Sequence, residues 1–181
     1  YAGLAPEELL AKGPFPDLDL CDAQEPSPQH LRELALECED AARAVAGVSN
    51  SKGASASASD RVFALATSHG FAGSYAGTGR SLSATMVAGE GSGMQRDYAW
   101  RSAHHSEDLP SPAEIGAQAG TRAVARLDPG RVKSGPMPVV FDPRVGGSLL
   151  GHLAGAISGS AIARRASFLL DKEEAQIFAP G

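Results

Sequence analysis

A chain of 181 residues with 43% hydrophobic and 20% charged residues has enough apolar surface to bury a core, which excludes wholesale disorder. Its formal charge of −5 excludes a chain-wide basic field for nucleic acid or anionic lipid, although not a local basic patch. Glycine (21) and proline (12) run high and aromatics are only 6%, so short strands and turns are expected over a helical bundle, with a core of small aliphatic side chains.

No apolar run reaches the ~18 residues a membrane helix needs. The longest, Val145 to Ile157, is broken by four glycines and by His152. Cys21 and Cys38 cannot form a disulfide framework and read as reduced thiols of a cytosolic protein. The chain starts at Tyr1 without Met, as a processed or excised chain would, and lacks a basic-then-apolar secretory start.

Residues 1 to 27 read as a stiff, proline-rich connector from an N-terminal domain, with a short helix over Pro6 to Ala11. Residues 28 to 130 read as a central α+β domain. Ser27 and Pro28 predict a helix start, and Gly47 a stop. Between them Leu31, Leu34, Ala35, Cys38, Ala41, Ala42 and Val45 form one apolar stripe.

The period switches from 3.6 to 2 after Gly47. Ala54 to Ser59 alternates strictly; by composition it suits a flexible Ser-rich linker, but the strand-like run Arg61 to Thr67 follows directly, and Gly70 to Tyr75, Arg80 to Ala88 and Met94 to Arg101 are strand-like too. Three or four antiparallel strands are expected, with turns at Asp60 and at Gly89 to Gly93. Small Ala and Ser side chains would let a helix or sheet approach closely. Ser111-Pro112 opens a second helix with Ile115, Ala119, Ala123 and Leu127 on one face.

Residues 131 to 181 read as the start of a C-terminal domain. Met137 to Phe141 is expected as a short buried strand, and Asp142-Pro143 as the start of a third helix running through Leu149, Leu150 and Leu153 towards Ile157. The fold class expected is α+β, an antiparallel sheet with packed helices followed by this strand-helix segment.

Four positions near one another, His104, His105, Glu107 and Asp108, could ligate a metal, but adjacent histidines on a strand point to opposite faces, which favours a solvated loop. Gly89 to Gly93 resembles a phosphate loop in composition only, because a strand follows it rather than a helix. Arg144 to Ser148 lies at a helix start, where amides and Arg144 could hold an anion; alternatively Gly146 and Gly147 permit close packing. Ser148 and His152 are four apart and share a helix face, but no acid orients them as a catalytic pair. Arg144, Ser148 and His152 are therefore candidates for substrate or partner contact, and no catalytic or metal residue is assigned.

The stretches VSNSKGASASAS, ATSHGFAGSYAGT, GSGMQRDYAW and PVVFDPRVGGSLLGHLAGAISGSAIARRASFLLDK resemble the PmbA (TldE) branch of the TldD/PmbA family from about Val48 to the C-terminus. The resemblance implies an internal segment of a bacterial cytoplasmic peptidase system, to which the name modulator of DNA gyrase also attaches. It implies a zinc-bearing TldD-like subunit as partner in a hetero-oligomer and peptides as substrate. TldD carries HExxxH on the helix that here reads GHLAGA. Gly151 stands at the first zinc His, His152 at the Glu and Ala156 at the second His, so zinc is expected only on the partner and no cofactor in this segment. Neither direct nucleic-acid binding nor a membrane is expected. The readings left open are a non-zinc accessory subunit, a standalone hydrolase with catalytic groups outside this segment, and a peptide-binding module.

Overall fold

The structure is a computed structural model that describes residues 6–10, 13–172 and 175–176. By internal contacts it forms two units, 1–130 and 131–181.

The first unit is α+β. Helix α1 (Pro28–Arg43) begins where Ser27 accepts a hydrogen bond from the His30 amide and Pro28 fills the first turn. Strands β1 (Val48–Ala66), β2 (Ala72–Ala88) and β3 (Gln95–Ala103) follow, then helix α2 (Pro112–Val124). A full capping box opens α2: Ser111 bonds the Glu114 amide and Glu114 bonds back to Ser111.

The strands form one antiparallel sheet in the order β1-β2-β3. The turn expected at Asp60 is not there. β1 runs straight through it, with Asp60 paired to Thr78, and the chain reverses at Thr67 to Phe71 instead. Asp60 is held in the ladder because its carboxylate meets Arg80, 3.3 Å away and 20 residues on, a partner that local turn chemistry does not reveal. The Gly89–Gly93 turn is present and contains a short 3-10 segment, Gly91–Gly93. The helix expected over Pro6 to Ala11 is a 3-10 turn, Glu7–Leu9, and residue 11 lies outside the described residues.

Alternation assigns the faces. On β2, Leu82, Ala84, Met86 and Ala88 are buried and cluster with Ala99 of β3 and with Cys38, Ala42, Ile115, Ala119 and Ala123 of the helices. On β1, Ala54, Ala56 and Ala58 pair with Ala84, Leu82 and Arg80, so the Ala-Ser repeat turns alanine to the helices and serine to the opposite face. The closest approach is made by glycine rather than by Ala or Ser. A Cβ added at Gly120 would sit 2.7 Å from the Ala42 carbonyl oxygen, and one at Gly116 would run into that of Cys38. These two glycines let α1 and α2 pack backbone to backbone.

β3 pairs only with Arg80 to Ala88. The outer half of the β1–β2 hairpin is therefore a two-stranded arm, with Phe63 and Tyr75 stacked across it at 5.1 Å.

In the second unit, Met137 to Phe141 is not the buried strand expected. It has no regular secondary structure and no ladder partner among the described residues, and Val140 is 95% exposed. Pro136 and Pro138 remove amide donors at its start, which weakens any pairing there. Helix α3 (Pro143–Ala156) is capped by Asp142, and α4 (Gly159–Ala163) follows. Ser167 folds the chain back by donating to the Ala156 carbonyl at 2.7 Å. Ala156 and Leu169 are buried, whereas Leu150 and Phe168 are each 70% exposed.

Candidate functional site

Three places bear on function. The first is α3. Asp142 accepts from the Arg144 amide at 2.9 Å, and its carboxylate also pairs with the Arg144 guanidinium at 3.1 Å. The amides of Val145 and Gly146 already bond to the Asp142 carbonyl. An anion at this helix start would meet a carboxylate and a neutralised arginine, so the pocket suggested by the spacing is occupied by the helix's own cap. Nor do Gly146 and Gly147 admit a close neighbour: nothing in the described residues lies within 4 Å of a Cβ added at either. Ser148 donates to the Val145 carbonyl at 2.6 Å, so its hydroxyl hydrogen is engaged along the helix rather than toward His152. His152 is exposed on the same helix, as are Gly151 and, one turn earlier, Ser148.

Zinc chemistry needs about three nitrogen, sulfur or oxygen donors converging on one point. Gly151 and Ala156 present a hydrogen and a methyl group, which leaves one imidazole. No group of three or more His, Cys, Asp or Glu able to hold a metal occurs among the described residues. The residues of this chain do not fit a zinc ion at α3. His104 and His105 also diverge. The His104 ring nitrogen Nδ1 contacts the Thr78 carbonyl oxygen at 2.7 Å, and His105 Nε2 contacts that of Asp19 at 2.8 Å.

The second place is a buried arginine, Arg80. Arg80 is 4% exposed, on the helix-facing row of β2. Its guanidinium donates to the Gln24 carbonyl at 2.8 Å and to Asp60 at 3.3 Å, and lies 3.7 Å from Asp22. Asp22 in turn accepts from both the amide and the hydroxyl of Ser106. The Ser106 and Gln24 donors, with Arg80 adding its charge, hold the Asp22 carboxyl down to about 2. Residues 19 to 24 are thereby strapped to the sheet, and the Thr78 amide adds a bond to the Leu20 carbonyl. Near the same strap the His105 ring is shifted upward, chiefly by its bond to the Asp19 backbone and also by the nearby carboxylates. The available signal was one arginine interrupting the apolar alternation of β2.

The third place is the open face of the sheet, the side away from α1 and α2. Serines of β1 and β2 line it, with Ser57 and Ser81 in contact at 2.8 Å. Tyr75, Tyr98 and Trp100 stand out of it, each about half exposed. A trough of about 580 Å³ runs past Ser57, Arg61, Phe63, Tyr75 and Trp100. The sequence held this face in plain view as the serine half of the repeat, but periodicity alone does not say which half is covered.

No helix among the described residues is long and apolar enough to cross a membrane. The family description PmbA/TldA metallopeptidase central domain matches residues 21–127, and the PmbA/TldA metallopeptidase C-terminal domain matches 134–181. The chain is 39% identical over 177 residues to Metalloprotease PmbA of Escherichia coli O157:H7, covering 97% of this chain and 39% of that protein. It is 35% identical over 170 residues to a Metalloprotease PmbA homolog of Haemophilus influenzae, covering 93% and 38%. A solved structure from Bacteroides thetaiotaomicron, assigned as a modulator of DNA gyrase, superposes with a TM-score of 0.85 at 31% identity and covers 94% of this chain and 39% of that one. TldE from Thermococcus kodakarensis shares the fold, with a TM-score of 0.60 at 21% identity over 95% of this chain and 38% of that one. The chain thus spans about two fifths of the length of these relatives.

Proposed function

Because the chain belongs to the PmbA/TldA metallopeptidase family, we propose that it forms part of a PmbA-type, TldE-like subunit of a two-subunit metallopeptidase system acting on peptides. In this reading it is the accessory subunit, and the catalytic zinc sits on a TldD-like partner. The observation that carries the reading is the donor set of α3. Where the zinc-bearing relative presents His, Glu and His, this chain presents Gly151, His152 and Ala156. A single imidazole leaves zinc hydrated and exchanging, and the polarised water that a zinc peptidase uses does not form. The reading carries a cytoplasmic location and no direct role for nucleic acid, since backbone-driven binding needs several clustered cations.

The test uses the full-length protein, prepared alone and together with the TldD-like protein from the same source. Alone it is expected to show no chelator-sensitive peptidase activity; together the two co-purify and cleave peptides, and chelation abolishes cleavage. Chelator-sensitive cleavage by the full-length protein alone would move the standalone hydrolase reading into first place.

A further inference from the structure

The open face of the sheet has an unusual charge. The chain carries −5, yet no Asp or Glu occupies an open-face position of any of the three strands, from Gly53 to Leu65, Gly73 to Val87 and Arg96 to Ser102. The charged side chains on it are Arg61 and Arg96, joined by Lys52 at the bulge where β1 shifts register. Lys52 and Arg96 line one hollow with Thr85 and Tyr98, and Arg61 lines the trough with Tyr75 and Trp100. All three cations are exposed, and none has a carboxylate partner among the described residues. One carboxylate, Asp97, reaches the rim of the Lys52–Arg96 hollow from the covered side of β3; it is 8% exposed and lies 3.6 Å from Arg126, which lines the same hollow and adds a further cation there.

We propose that this open face is a docking surface for an acidic segment of a polypeptide, laid across the serine rows between the basic groups. The chemistry on the face is matched to a peptide. Serine hydroxyls offer donors and acceptors to a main chain, Tyr75, Tyr98 and Trp100 offer apolar flanks with polar tips, and the three cations favour carboxylates. The spacing disfavours a nucleic acid. Lys52 and Arg61 are nine residues apart on one strand, about 30 Å, whereas duplex DNA carries a charge about every 1.7 Å. A second copy docked face to face would bring like charges together. The inference deepens the peptide reading given above and rests on it for the class of ligand.

The experiment measures fluorescence anisotropy of the full-length protein with a labelled peptide of about twelve residues containing glutamate, leucine and glycine. Controls are the same peptide with lysine for glutamate and a single-stranded thymidine oligonucleotide. The acidic peptide is expected to bind at least about tenfold more tightly than the lysine peptide, with affinity falling as salt rises. Arg61→Glu with Arg96→Glu, both at exposed positions, should remove that preference, and Arg61→Lys should retain it. Equal binding of the two peptides, no binding, or indifference to the charge reversals would overturn the proposal. So would tighter binding of the oligonucleotide, or self-association abolished by the same reversals. Failure here can be told apart from failure of the subunit reading. If the paired proteins cleave a neutral peptide while the acidic probe ignores the face, the subunit stands and the face falls. If the probe binds as expected while the pair cleaves nothing, the face stands.

Discussion

The two faces of the sheet are made from the same strands and differ in what each demands of its residues. Toward α1 and α2, Leu82, Ala84, Met86 and Ala88 are buried in the core, and Gly116 and Gly120 of α2 meet the α1 backbone with no room for one extra carbon. Toward the open side, positions are half-buried or exposed and carry hydroxyls, aromatics and cations. The strict Ala-Ser alternation of β1 serves both faces at once, so a substitution's effect is set by the parity of its position more than by its chemistry.

The largest expected effect breaks the covered face. Gly116→Ala places a methyl group into the Cys38 carbonyl of α1, where neither backbone can yield. Such overpacking costs about 3 kcal/mol or more, read as a lowered urea midpoint and as hydrogen exchange appearing in α1 and β2. A midpoint unchanged from the parent would show that the helices are not in contact there.

Next comes the arginine at the edge of the covered face. Arg80→Ala removes the cation between Asp22 and Asp60 and leaves the Gln24 carbonyl without its donor. Asp60 stays solvated at 60% exposure, so the loss falls mainly on the Gln24 carbonyl and on Asp22, and is smaller than that of Gly116→Ala. The strap at 19 to 24 should become cleavable by protease before the sheet does. Cleavage of strap and sheet at the same rate would separate Arg80 from the strap.

The strap also sets a dependence on pH. Asp22 has its folded pKa depressed from 3.8 to about 2, so its contribution is full above pH 4 and is lost as pH falls through about 2. His105 is shifted the other way, so its contribution is full below its ordinary value near 6.5 and is lost as pH rises through the raised value. Asp22→Asn should flatten the acid limb of strap protection and leave the alkaline limb in place. Two unchanged limbs would remove Asp22 from the account.

The smallest effect is the sharpest comparison of the two faces. Ala84→Ser puts a hydroxyl at a 1%-exposed site and should cost about 2 kcal/mol. Ser83→Ala, its neighbour on the open side, should stay within about 0.5 kcal/mol of the parent. Similar losses from both would mean that the open face is as tightly covered as the other.

How much of this was legible depends on whether the cause is local. Helix starts were legible because Ser27-Pro28 and Ser111-Pro112 act on amides within three residues. The sheet was legible from its period. The turn expected at Asp60 failed because the residue's partner, Arg80, is distant in sequence; Arg80 itself is signalled only by its place on the apolar row of β2. Gly116 and Gly120 carry no local signal, since the carbonyls they admit belong to another helix. Met137 to Phe141 has the composition of a buried strand but no ladder partner among the described residues. At Arg144, Asp142 competes for the very amides and guanidinium that an anion would use. At 151 to 156 the groups presented, a hydrogen at Gly151, an imidazole at His152 and a methyl at Ala156, follow from residue identity alone.

The central claim, that this chain belongs to a subunit without catalytic zinc, is tested most directly by metal analysis of the purified full-length protein after dialysis against a mild chelator. Restoring the two imidazoles by Gly151→His with Ala156→His should raise zinc affinity only modestly, because the third ligand and the groups that orient the rings are still missing. For the unmodified protein the account predicts substoichiometric, readily removed zinc. About one tightly held zinc per chain would contradict it.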